Sequence, residues 1–173
     1  MIMKVSAGIL VFRIKRSGPE VFIVHPGGPL WAKKDKGFWS LPKGLAEPGE
    51  DTILTAKREF EEETGFKAPE GEYIQLGEID YPRGDKKVHA WAVEGDFVAS
   101  NLSSNTFKMK WPPRSDNYQE FPEIDRGGWF SLQQAAVKLF PANLPFLERL
   151  ANHLHVPFGS EEIPEEPKQG SLF

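Results

Sequence analysis

Two short apolar runs open the chain. VSAGILVF (5–12) and VFIVH (21–25) are rich in β-branched and aromatic residues, and RSGPE between them carries turn chemistry, so the pattern predicts a β-hairpin. The pattern then breaks up. PGGPLWAKKDKG (26–37) mixes glycine, proline and lysine and reads as an exposed loop, after which FWSLP (38–42) predicts a short strand. From Asp51 to Thr64 the period becomes helical, with Ile53, Ala56 and Phe60 in one apolar stripe, Pro48 ahead of it, acidic residues in the first turn and Gly65 at the end. Residues 72–80 and 87–94 return to strand character around the turn YPRGDKK. Residues 100–123 read as a long loop in which FKMKW forms a short strand. GGWFSL predicts one more strand, SLQQAAVKLF a helix capped by Ser131, and LPFLERLANHLH a helix begun near Pro145. This order is neither a βαβ alternation nor all-β, which leaves a mixed sheet covered by helices. One domain is expected over 1–156, with 157–173 as a mobile tail too poor in apolar residues to offset its ordering entropy.

Composition narrows the class. A chain of 173 residues suits one domain with a sizeable core, and 39% hydrophobic with 27% charged residues is ordinary for a soluble protein. No apolar run approaches the roughly 20 residues that span a bilayer, and the N-terminal stretch reads as a strand, not a secretion signal. The expected location is the cytoplasm, with no membrane partner. The chain has no cysteine, which removes disulfides, thiolate metal sites and cysteine nucleophiles, so any metal must bind through oxygen or histidine. His25, His89, His153 and His155 lack the helical spacing of a zinc site and read as packing or surface residues. A formal net charge of −4 argues against duplex nucleic acid as a partner.

The helix ends in REFEEETG (58–65), with four glutamates in five positions. Residues three and four apart share a helix face, so Glu59, Glu62 and Glu63 point one way and Glu61 another. A like-charge pair at that spacing costs about 0.2–0.5 kcal/mol, and acids near a helix C-terminus also oppose the macrodipole. Local stability would not select the arrangement. A hard divalent cation removes the repulsion, and Mg²⁺ commonly joins one or two carboxylates to substrate phosphates. A solvated acidic face with an Arg58–Glu62 pair is the alternative, and on these eight residues both readings stand.

The wider spacing is more specific. Gly44, Glu50, Arg58, Glu59, Phe60, Glu62, Glu63, Gly65 and Phe66 fall in the order and at the intervals of the Nudix box, and the region resembles that family's loop–helix–loop motif over 44–66. Only Phe60 and Phe66 depart, standing where the family usually has aliphatic residues. HPGGPLWAKKDKGFWSLPKG and SNTFKMKWPPRS are also similar to a group of small bacterial Nudix proteins described as predicted NTP pyrophosphohydrolases. The resemblance implies an α/β/α sandwich with a mixed β-sheet, and Mg²⁺-dependent hydrolysis of a nucleoside diphosphate linked to another group, with Mn²⁺ as a substitute. It implies Glu62 and Glu63 as principal metal ligands, Glu59 as a third and the Gly44 carbonyl as a fourth. Arg58 would orient a glutamate, and Glu50 would stabilise the turn before the helix. The general base is left open among Glu59, Glu62, Glu120 and Glu123, each of the last two reading equally as a surface acid.

For the substrate, Lys33, Lys34, Lys36 and Lys43 surround the entry to the box, with Lys43 the favoured phosphate contact and a solvated loop the alternative for the rest. Trp31, Trp111 and Tyr118 lie where a base could stack, or where they simply pack. The lysine in LPKG resembles dinucleoside polyphosphate hydrolases, while the bacterial group points to NTPs; ADP-ribose is a third choice. A nucleotide-sensing module without turnover is the competing class, and RNA 5′-end processing would need a basic channel that is not visible. A homodimer through an edge strand or the 100–123 loop stays open.

Overall fold

The computed structural model describes residues 3–158, so most of the expected tail lies outside the described residues. The elements in chain order are β1 (Lys4–Lys15), β2 (Gly18–Pro26), β3 (Lys43–Leu45), α1 (Thr52–Thr64), β4 (Ile74–Asp80) and β5 (Lys86–Glu94), followed by β6 (Thr106–Lys110), β7 (Tyr118–Pro122), β8 (Ile124–Ser131), α2 (Leu132–Lys138) and α3 (Leu144–Leu154). The main sheet runs β4-β5-β1-β2-β8 with β3 paired to β1. Only β1 and β5 are parallel, which makes the sheet mixed.

Strand β1 is apolar without alternation because both its faces are covered. Ala7, Ile9 and Val11 pack with Phe22, Ala56 and Phe60 beneath α1. Leu10 and Phe12 pack on the other face with Leu132, Phe146, Leu147 and Leu150 of α2 and α3. Each such Leu or Phe contributes about 1.5–3 kcal/mol on burial, so the two cores together hold the sheet as the middle of an α/β/α sandwich. Among the described residues, no helix is long and apolar enough to cross a membrane.

The helix ends are chemically marked. Asp51 caps α1 by accepting from the Ile53 N–H at 3.3 Å, and Gly65 closes it in the left-handed region at φ 73°. The acids expected in the first turn stand instead at the cap and just before it, where they accept from exposed N–H groups. Ser131 and Gln134 form a capping box on α2.

Two further expectations need correction. FWSLP is not a strand: only single bridges join Ser40 to Val24 and Trp39 to Leu139. Its apolar pattern comes from burial of Trp39 and Leu41, and Pro42, lacking an N–H, cannot extend a ladder, so regular pairing begins at Lys43. Nor is 100–123 mainly loop, since β6 and β7 pair as a separate two-stranded sheet. Strand β7 is exposed except at Phe121, which left it without the alternation that marks a half-buried strand.

Candidate active site

Helix α1 lies across β1 and β3 and carries the box glutamates on the side facing β3. Arg58 organises them. Its Nε and Nη2 donate to the two oxygens of Glu50 at 3.0 and 2.9 Å, a two-point fork, while Nη1 donates to Glu59 at 2.9 Å and Glu62 at 3.3 Å. Glu50 also accepts from the Thr55 hydroxyl at 2.7 Å and the Glu47 N–H at 3.1 Å. Arg58, then Thr55 and the Glu47 N–H, hold the Glu50 carboxyl down at about 2, so it stays ionised as the anchor of the loop entering α1.

Strand β3 supplies the opposite wall. The Lys43 N–H donates to Glu63 at 3.1 Å. Gly44 lies so close to α1 that a Cβ there would meet the Glu59 carboxyl carbon at 2.1 Å, so glycine alone leaves room for that carboxylate. Burial pushes the Glu63 carboxyl well above the usual range, against the pull of Lys43 and with added repulsion from Glu59 and Glu123. Burial likewise lowers the Lys43 ammonium, although Glu63 and Glu59 favour its charge. Both partners shift toward neutrality, meaning that their attraction does not repay their desolvation. Glu59 is also raised, first by burial and then by Glu62 and Glu123 against the pull of Arg58.

Glu123 reaches this cluster through a relay of backbone contacts. The last carbonyls of α1 accept from Ser103 and Asn105 N–H at 2.8 and 3.0 Å, and the Asn105 carbonyl accepts from the Glu123 N–H at 2.8 Å. Glu120 stands apart, exposed on β7 and accepting from the Thr106 hydroxyl within the hairpin.

Beside Lys43 opens a cleft of about 350 Å³ lined by Trp31, Phe38, Lys43, Tyr81, Phe140 and Asn143. The Trp31 and Phe38 rings lie 5.7 Å apart, and the Lys43 and Lys86 ammoniums stand 5.5 and 4.9 Å from the Tyr81 ring. Asn143 is fully buried; its Oδ1 accepts from the Tyr81 hydroxyl at 3.3 Å, while its Nδ2 has no partner among the described residues. Lys33 and Lys34 lie outside the lining, Lys34 placing its ammonium 5.7 Å from the outer Phe38 ring. Trp111 and Tyr118 belong to the β6–β7 hairpin and also lie outside it. Tyr81, Phe38, Phe140 and Asn143 were not singled out from the sequence. The only signal for Asn143 is a polar residue set between apolar neighbours at a helix start.

The donor set suits a hard divalent cation, being all oxygen, clustered on one helix face and only partly neutralised by Arg58 and Lys43. As described, Glu59 and Glu62 face Arg58 and Glu63 takes the Lys43 N–H. Among the described residues no three acidic or histidine side chains stand at coordinating spacing, so metal entry requires these side chains to turn.

A mixed sheet between helical layers, with this acidic face at one edge, defines a protein class that comparison identifies. The family model of the NUDIX domain matches residues 3–150, and the chain belongs to the Nudix family. It is similar to an 8-oxo-(d)GTP phosphatase of Mycolicibacterium smegmatis, 40% identical over 80 residues, which are 43% of this chain and 23% of that one. It is similar also to an RNA pyrophosphohydrolase of Rhodopseudomonas palustris, 42% identical over 59 residues, 34% of this chain and 31% of that one. The chain thus spans under a third of the length of these curated relatives. Among solved structures it resembles the Ap4A hydrolase of C. elegans in a binary complex, with a TM-score of 0.57 and 22% identity over 88% of this chain and 98% of that one; at this identity the likeness concerns the fold.

Proposed function

We propose that the protein is a divalent-metal-dependent pyrophosphohydrolase that cleaves a phosphoanhydride bond in a nucleotide, with an NTP or a dinucleoside polyphosphate as substrate. The observation that carries this reading is the adjacency of two features: the face formed by Glu59, Glu62 and Glu63, and an aromatic cleft of about 350 Å³ joined to it by Lys43. The cleft can stack a base on Trp31. The free Asn143 N–H donors suit an acceptor on the base edge, because a buried donor left unpaired costs about 1–3 kcal/mol. Lys43, on the strand between cleft and acids, offers its ammonium to the polyphosphate and shares its position with Glu63.

Glu59, Glu62 and Glu63, with the Gly44 carbonyl, would hold Mg²⁺ or Mn²⁺. When bound, the ion would lower the pKa of a water and neutralise charge developing on the phosphate. Arg58 fixes the helix to Glu50 and sets the orientation of Glu59. Glu123 is the carboxylate from outside the box that stands near enough to Glu59 and Glu63 to influence both, which favours it over Glu120 as the proton acceptor.

The test is a panel of NTPs, diadenosine polyphosphates and ADP-ribose incubated with Mg²⁺, with Mn²⁺ and with chelator, with products separated by chromatography. Turnover of one class, dependent on metal and lost in Glu62→Gln, is the expected result. Tight nucleotide binding without turnover in either metal would replace this reading with that of a nucleotide sensor.

A further inference from the structure

His25 is a fully buried histidine that the proposed chemistry does not use. It ends β2, and both ring nitrogens are engaged: Nδ1 lies 2.8 Å from Asp125 Oδ1, and Nε2 lies 2.5 Å from the carbonyl oxygen of Lys34. A main-chain carbonyl can only accept, so Nε2 carries a proton. An ionised carboxylate can also only accept, and Asp125, with its side chain 30% exposed, keeps access to water in that form. With Asp125 in that form, Nδ1 would donate as well, and both ring nitrogens would carry protons. A neutral ring would turn a lone pair on one oxygen.

The sequence prepares this contact with an irregularity. Pairing of β2 with β8 shifts between His25, which faces Arg126, and Pro26, which faces Ile124, leaving Asp125 as the extra residue of a bulge. The bulge aims Asp125 at the ring, while the Gly27 N–H donates to the Glu123 carbonyl at 2.8 Å. On its other side the ring grips Lys34, in the loop that carries Trp31 and Phe38 to the cleft. Charged groups close to the ring or to the Trp39 side chain against it are Asp125 and Arg126 on β8, Asp35 in the loop and Lys138 on α2, while Lys34 offers its carbonyl and holds its ammonium over Phe38. Asp35 and Lys138 pair with each other at 3.1 Å, Arg126 sits over Trp39, and Asp125 is the acid in contact with the ring.

We propose that His25 is a positioning residue: as a doubly protonated imidazolium it clasps the 27–38 loop to the β8 bulge and so holds Trp31 and Phe38 as one wall of the nucleotide cleft. The consequence for the cleft rests on the nucleotide reading above; the protonation of the ring and the fixing of the loop do not. Because the clasp shapes ground-state binding and leaves the carboxylate face in place, its loss should raise KM and spare kcat.

The experiment uses the full chain labelled with ¹⁵N. In the wild type at pH 7, nuclear magnetic resonance should show protons on both His25 nitrogens, and a single N–H would overturn the proposal. His25→Gln keeps bulk and one donor group but cannot donate in both directions. In it the Lys34 and Phe38 amides should exchange faster by about tenfold or more while β2 and β8 keep their protection, the loss of one charge-assisted contact. With GTP and diadenosine tetraphosphate as probes, KM should rise about tenfold with kcat within about twofold. Unchanged loop exchange, or a fall in kcat alone, would refute the clasp. Should His25→Gln fail to fold, Asp125→Asn decides: the ring is expected to lose its Nδ1 proton at the same pH, and retention of both protons would exclude Asp125 as the partner. If neither nucleotide is turned over by the wild type, the ring and exchange measurements still judge the clasp, and only the nucleotide reading falls.

Discussion

Gly44 shows how one missing Cβ shapes this site. The space that a methyl group would take holds the Glu59 carboxylate, at 2.1 Å from the ideal Cβ position. That carboxylate is the far end of a flexible side chain and can swing away, so Gly44→Ala should leave the fold nearly as stable while moving Glu59 by an ångström or more. Hydrolysis should fall about 100-fold, the usual scale for a misplacement of that size, with the thermal midpoint almost unchanged. A steady-state assay beside a melting curve checks this, and a variant that is fully active or grossly unstable would contradict it. Arg58 is the complementary case, since its planar fork spans both oxygens of Glu50 and a lysine cannot. With its side chain 30% exposed, solvent trims the effect, and Arg58→Lys should cost about 1–2 kcal/mol in urea denaturation. A cost near zero would mean that the loop before α1 is held by the Thr55 and Glu47 contacts alone.

At the scale of elements, the end of α1 matters as much as its acidic face. Gly65 is in the left-handed region, and a Cβ there would meet the Ser103 carbonyl oxygen at 2.6 Å, a backbone atom with little freedom to move. Gly65→Ala should therefore cost about 2 kcal/mol or more. Because Ser103 and Asn105 lead to Glu123, it should also slow hydrolysis beyond what the folded fraction explains; full activity per folded molecule would argue that Glu123 is placed by other contacts. The helix itself was legible in the sequence, including its closing glycine, because α1 obeys a local period and local end rules, although the acids expected in its first turn stand at the cap and before it. So was the opening hairpin. FWSLP was misread because burial of Trp39 and Leu41 imitates a strand, and β7 was missed because an exposed two-stranded hairpin has almost no apolar face to announce it. The carboxylates of the box were legible through spacing on one helix. Tyr81, Asn143 and the His25–Asp125 contact were not, since each depends on which distant segments the sheet order brings together.

At the scale of the molecule, the cleft joins parts that no single core holds, and Asp35 is one of the ties. It sits in the loop that carries Trp31, accepts from the Trp39 indole N–H at 2.7 Å and pairs with Lys138 of α2 at 3.1 Å, linking the cleft wall to the helical layer. Burial by itself would raise the Asp35 carboxyl, but the Trp39 N–H and the Lys138 ammonium outweigh it and hold the group below its usual range. A carboxyl lowered on folding stabilises the folded state above its unfolded value, near 4, and loses that contribution as the pH falls through the lower folded value. Asp35→Asn keeps an acceptor for Trp39 and removes the charge facing Lys138. The side chain is 47% exposed, so screening limits the pair to about 0.5–1 kcal/mol, or about 1–4 °C in melting temperature for a domain of this size. The difference between wild type and variant should appear at pH 7 and shrink as the pH falls below the unfolded value and through the lowered folded one, where the wild-type carboxyl takes up its proton. Melting curves of both proteins across that range decide the matter: an offset that stays constant with pH would show that Asp35 acts through shape alone, and that α2 is joined to the cleft wall by packing of Trp39 and not by charge.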